Sequence, residues 1–94
     1  MSMILIVDDA DRSEYVATLD GVEAGVIVYE RRDGAIDLEH TIVRPEAEGH
    51  GVGSTLIRFA LDAARTSGEP VIPSCPFVQA FLEKHPEYLD VVRP

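Results

Sequence analysis

The chain has 94 residues, of which 46% are hydrophobic and 27% charged, with one Cys and a formal net charge of −9. That length holds one domain, residues 1–94, whose core buries roughly 60–65% of the surface the unfolded chain exposes, so a large enclosed substrate is excluded. The acidity excludes nucleic acid, whose phosphates need Lys and Arg; the single Cys excludes an internal disulfide and any thiol-rich metal site and suits a reduced, cytoplasmic setting.

The apolar stretch Met3–Val7 is too short for a signal h-region or a membrane span and has no basic flank. It reads as a first strand over Ile4–Val7, ended by Asp8-Asp9, with a polar turn over Asp8–Ser13. Glu14–Leu19 alternates, with Tyr15, Ala17 and Leu19 on one face. Asp20-Gly21 marks a hairpin. Ala24–Tyr29 is β-branched and apolar, which predicts a central strand. Asp33-Gly34 marks a second hairpin, leading into Ile36–Val43. There, strict alternation puts Ile36, Leu38, His40 and Ile42 on one face and Asp37, Glu39, Thr41 and Val43 on the other.

The period then changes. Apolar residues fall at helical spacing from Val52 through Leu56, Phe59, Ala60, Ala63 and Ala64, and Gly68 stands where a helix C′ residue belongs. Val71–Pro73 is a short strand. Pro76 opens a second helix with Phe77/Phe81 and Val78/Leu82 as packing pairs. Pro86 ends it, and Asp90–Pro94 reads as a tail. The order predicts a mixed, mostly antiparallel five-stranded sheet with two helices, an α+β fold. A single crossover brings Val71–Pro73 alongside Ile36–Val43.

Between strand and helix stands Glu48-Gly49-His50-Gly51-Val52-Gly53-Ser54. Its glycines permit a tight turn and a close ligand approach. The N–H groups of Gly51, Gly53, Ser54 and Thr55 are the donors of a helix start and suit a phosphate. The Walker loop is excluded because no Lys follows the glycines, and the dinucleotide fingerprint fails because Ser54 or Leu56 falls on its last glycine. The plain alternative is a tight strand-to-helix turn.

Cys75 sits directly before helical Pro76, a place that favours thiolate. Spacing alone leaves two readings: a reactive thiol, or a small buried hydrophobe. His40 has the intrinsic pKa of a neutral-pH base, but alternation equally allows packing beside Leu38 and Ile42. Glu39 is a rival base aimed at the opposite face. His50 reads as exposed in its loop and His85 as a structural group at a helix end. No ligand spacing marks a metal site.

The loop Glu48–Gly53 resembles motif A of the GNAT superfamily of N-acetyltransferases, whose pattern is Gln/Arg-x-x-Gly-x-Gly/Ala. The chain as a whole is similar to the very short GNAT-like branch. His40-Thr41-Ile42-Val43, Pro73-Ser74-Cys75-Pro76-Phe77-Val78 and Phe81 through Tyr88 carry that similarity. It implies a GNAT-like fold lacking the N-terminal helices, and acetyl transfer from acetyl-CoA to an amine. With the acceptor side open, a protein, peptide or polyamine amine is favoured. The alternative is a non-catalytic coenzyme A binding module.

By the same resemblance His40 and Cys75 lie at the reacting centre, in a gap where their two strands splay. Val43, Gly49, His50, Gly51, Val52 and Gly53 are implied to contact the coenzyme. So are Ser54, Thr55, Cys75, Pro76 and Tyr88. Glu48 departs from the family pattern and is expected to face solvent. A monomer or weak homodimer is expected, with no nucleic acid or membrane partner and no metal.

Overall fold

A computed structural model describes residues 3–93; Met1, Ser2 and Pro94, parts of the expected domain and its tail, lie outside the described residues. Five strands stand in sequence order: β1 (Ile4–Asp9), β2 (Glu14–Leu19), β3 (Val22–Arg32), β4 (Ala35–Val43) and β5 (Val71–Ile72). The first four form an antiparallel meander, and β5 runs parallel to β4. At the two tight hairpins Asp20 and Gly21 take φ of 51° and 87°, and Asp33 and Gly34 take 53° and 76°. Two successive left-handed residues give the turn whose twist matches that of the strands, which is why Asp-Gly occurs at both.

Helix α1 (Val52–Ser67) joins β4 to β5, and α2 (Pro76–Lys84) follows β5. Tyr15, Ala17, Ile27, Tyr29, Ile36 and Leu38 project from the sheet into one core with Leu56, Ile57, Leu61, Val78, Phe81 and Leu82. The opposite face bears an apolar row in register, Val7, Val16, Val26 and Ile42. Its two ends are 59% and 56% exposed. Only a turn joins β1 to β2, so no helix inserted there covers that row.

Four expectations are corrected. The first concerns β4. Val28 pairs with His40 and Tyr29 with Leu38, so Glu39 is an extra residue, a β-bulge. A bulge reverses the alternation beyond it. Leu38 and Thr41 therefore share the helix face, while His40 and Ile42 turn outward and are exposed. The second concerns α1, whose buried stripe uses Ile57 and Leu61; Phe59 lies at its margin, its ring edge-on to Tyr15 at 5.6 Å. Third, Phe77 is not in the core; it is 65% exposed. Fourth, the end of the chain is not a loose tail. A 3-10 turn over Pro86–Val91 buries Tyr88 and Val91. Val92 then bridges to Val71, and the Arg93 N–H donates to the Val71 carbonyl at 2.8 Å.

Two consequences are testable. A Cβ placed on Gly25 meets the Ile42 carbonyl oxygen at 2.8 Å and Val52 Cγ1 at 3.2 Å. An alanine gains roughly 0.5–1 kcal/mol from the stiffer unfolded chain, but the backbone oxygen cannot step aside as a side chain would. Gly25→Ala is expected to destabilise the protein by about 1–3 kcal/mol in urea unfolding. Burial, reinforced by the charge of Asp8, pushes the Tyr15 phenol up to about 12. The unfolded phenol ionises near 10. The stability Tyr15 contributes is therefore complete below pH 10 and lost as pH rises through 12. Phenolate absorbance should show Tyr15 titrating last or with unfolding.

Candidate active site

The parallel ladder between β4 and β5 has two rungs, Ile36 with Val71 and Asp37 with Ile72. Pro73 brings no N–H, and the Ser74 N–H turns back to the Ile72 carbonyl at 3.1 Å. One more contact holds, from the Cys75 N–H to the Leu38 carbonyl at 2.9 Å. Past Leu38, among the described residues, no backbone hydrogen bond joins β4 to α2. The sheet opens there, beside the bulge at Glu39.

The mouth of α1 lies along the same opening. A 3-10 turn over Pro45–Ala47 is pinned by buried Ala47, with the Ala47 N–H on the Arg44 carbonyl at 2.9 Å. Gly49 and Gly51 follow with φ of 84° and 78°, left-handed values that favour glycine. From Gly49 through Ser54, six successive N–H groups donate to no other residue of the fold. Thr55 differs. Its N–H donates to the Gly51 carbonyl at 3.0 Å, and its hydroxyl donates to the same oxygen at 2.7 Å. Thr55 thus closes the first helical turn and drops out of the expected donor set. A Cβ on Gly53 would sit 3.5 Å from Val43 Cγ2, an ordinary contact. Glycine is thus not demanded there by packing, and its smallness leaves room in front of the amides.

This loop borders a cleft of about 670 Å³ between β4, the α1 mouth and α2. Of the residues expected to contact a coenzyme, Val43, Gly49, Gly51, Val52, Gly53 and Ser54 line it. His50, Thr55, Cys75, Pro76 and Tyr88 do not. Glu48 is exposed at the rim, as expected. The far wall was missed from the sequence: Phe77, Ala80, Phe81, Lys84 and His85 line it, with Thr41 and Ile57. Their spacing of 77, 80, 81, 84 and 85 is a helical stripe, and the signal was present in the period. Phe77 and Phe81 pair at the spacing of core residues, and nothing local tells a cleft-facing stripe from a buried one. Lys84 is the chain's only lysine. His85 stacks on Phe81, with ring centroids 4.3 Å apart.

Cys75 is 1% exposed and caps α2; its Sγ lies 3.3 Å from Thr41 Oγ1. His40 is one residue before Thr41 and points to the other face of the sheet. The bulge thus separates the two expected catalytic side chains, with Cys75 on the cleft side and His40 on the open side. Tyr88 is buried with Phe81, at 5.9 Å, under the Arg58 and Arg65 guanidinium groups, and its hydroxyl accepts from Arg58 at 3.4 Å. It braces the turn after α2 against α1. No group of three or more His, Cys, Asp or Glu suited to a metal ion occurs among the described residues. No helix among them is long and apolar enough to cross a membrane.

A mixed sheet thus opens next to a helix mouth whose amides have no partner within the fold. A family model described as GCN5-related N-acetyl-transferase matches residues 14–91, and the chain belongs to that family. Its general function is acetyl transfer, for which the family uses acetyl-CoA. No curated protein matches the chain.

The burial of Cys75 has a direct chemical readout. A thiol reagent such as Ellman's disulfide should modify the native protein at least about 100-fold more slowly than the unfolded one, because reaction requires local opening. Fast native modification would show that the sulfur is presented to solvent.

Proposed function

We propose that the chain moves an acetyl group from acetyl-CoA to an amine, and that the amide row Gly49–Ser54 holds the coenzyme's pyrophosphate. That row is the observation that carries the reading. A protein of net charge −9 has few cations to spend on an anion. Backbone donors reinforced by the positive end of α1 supply the attraction without them. Lys84 faces the same cleft and adds a point charge for a further phosphate. Exposed Phe77 offers apolar surface to the pantetheine arm.

The arm then runs into the opening between β4 and β5, where the bulge frees backbone amides to polarise the thioester carbonyl. The amine arrives from the open face, where His40 stands. Its nitrogen attacks the carbonyl carbon, the carbon–sulfur bond breaks, and coenzyme A leaves with the bonding pair. His40 takes the proton lost by the amine, a task suited to its intrinsic pKa. Cys75 borders the acetyl group through Thr41 and serves in placement. Its burial favours direct transfer over an acetyl-cysteine intermediate.

The test is calorimetry and amide shift mapping with acetyl-CoA, followed by turnover with a panel of amines. Shifts are expected at Gly49 through Ser54 and not at Tyr88, and Lys84→Ala should weaken binding by about 3–10-fold. His40→Ala should lower kcat while leaving coenzyme affinity intact, and Cys75→Ser should retain turnover. Unperturbed loop amides at millimolar acetyl-CoA would sink the proposal. Binding with no transfer to any amine would point to a coenzyme A binding module.

A further inference from the structure

On the open face, β4 carries a buried carboxylate with one oxygen that the fold leaves without a donor. Asp37 is 6% exposed. Its Oδ1 has no hydrogen-bond partner, and its Oδ2 meets Arg32 Nη2 only as an ion pair at 3.2 Å. That nitrogen carries two hydrogens. They are directed to Glu30 at 2.9 Å and Glu39 at 3.0 Å. Three carboxylates thus share one guanidinium, and their formal charges sum to −2 with it. A carboxylate withdrawn from water needs donors or positive charge to offset its lost hydration. Here the deficit is positive charge. No group of three or more His, Cys, Asp or Glu suited to a metal ion occurs among the described residues. An ammonium needs acceptors without a fixed coordination geometry, and this arrangement suits one.

The cluster is also well placed. Asp37 and Glu39 flank Leu38, whose carbonyl accepts the last contact before the sheet opens. At roughly 3.3 Å of rise per residue, both lie within about 4 Å of that point along the strand. Asp37 stands in register with Glu30 on one side and Ile72 on the other. His40 follows immediately and is exposed.

We propose that Glu30, Asp37 and Glu39 form a cation subsite that receives a second ammonium of the acceptor. The acetylated amine then belongs to a molecule carrying another positive charge a few bonds away. This rests on the acetyltransferase reading above. The excess of acidic residues over the whole chain draws such polycations toward the protein. Two sources supply the chemistry, a free diamine or polyamine and a pair of neighbouring lysines in a peptide.

The experiment compares kcat/KM for putrescine against butylamine, and for a short peptide with two adjacent lysines against its single-lysine counterpart, at low salt. At least one ratio is expected to exceed about tenfold, the scale of a hydrogen bond to a charged group. The pair showing it identifies the source. Asp37→Asn and Glu39→Gln should each bring that ratio close to one. If Asp37→Asn fails to fold, Glu30→Gln takes its place at an exposed position. Ratios near one for both pairs, or a preference that survives the substitutions, would overturn the subsite. If no amine is acetylated although acetyl-CoA binds, the enzyme reading fails and the subsite is read separately by titrating putrescine. Amide shifts at Glu30, Asp37 and Glu39, weakened by Glu39→Gln, would uphold it, and their absence would overturn it.

Discussion

The hydrogen bond from the Cys75 N–H to the Leu38 carbonyl, at 2.9 Å, is the hinge of this structure. Among the described residues it is the last backbone link between β4 and the segment that follows β5. One residue later Glu39 bulges out of register with β3. A sheet normally consumes its own backbone donors and acceptors in its ladder. Here the ladder between β4 and β5 ends beside the bulge, and the sheet opens at that point. The position of α2 follows from the same bond, because Cys75 is its N-cap. The cleft wall made by Phe77, Ala80 and Lys84 is set by where that cap is tied.

The two faces of the sheet divide the electrostatic work. The cleft side presents main-chain N–H groups at the mouth of α1 that have no partner within the fold. The open side carries carboxylates in excess of their partners, around a single arginine. A chain this acidic cannot build a conventional basic phosphate pocket without surrounding it with competing carboxylates. Backbone donors avoid that conflict, since they carry no net charge and are fixed by the loop. Glu48 stands at the rim of the cleft and is exposed.

Much of this was legible in the sequence. Two Asp-Gly pairs, the alternation of Tyr15, Ala17 and Leu19, the helical period after Val52 and the Gly68 cap fix the order of elements through local chemistry. The glycine loop announced its amides because left-handed backbone at Gly49 and Gly51 has few other solutions. The bulge did not announce itself. One extra residue in β4 is invisible to a period-two reading, and it moved His40 from the expected core face to the open one. Thr55 leaves the expected donor set because its N–H, just past the row, already has a helical acceptor in the Gly51 carbonyl. Tyr88 and the Pro86–Val91 turn depend on tertiary packing under Arg58 and Arg65, which no local pattern encodes. Asp37 looked like an ordinary outward residue on an alternating strand, and its lack of donors emerges only once Arg32 is seen shared among three carboxylates.

The return of Val92 and Arg93 to Val71 makes the two borders of the sheet unequal. A two-residue strand at a border would present bare amides and carbonyls to any passing strand. Here Val92 occupies that position, and the Arg93 guanidinium donates across to the Asp33 carbonyl at 2.7 Å. A neighbouring chain seeking to extend the sheet there must first peel this segment away. Among the described residues, no such strap covers the outer border of β1, six residues long. Stacking by strand addition needs two usable borders per molecule. With one of them obstructed by Val92 and Arg93, strand addition is directed to the β1 border, where it joins two copies.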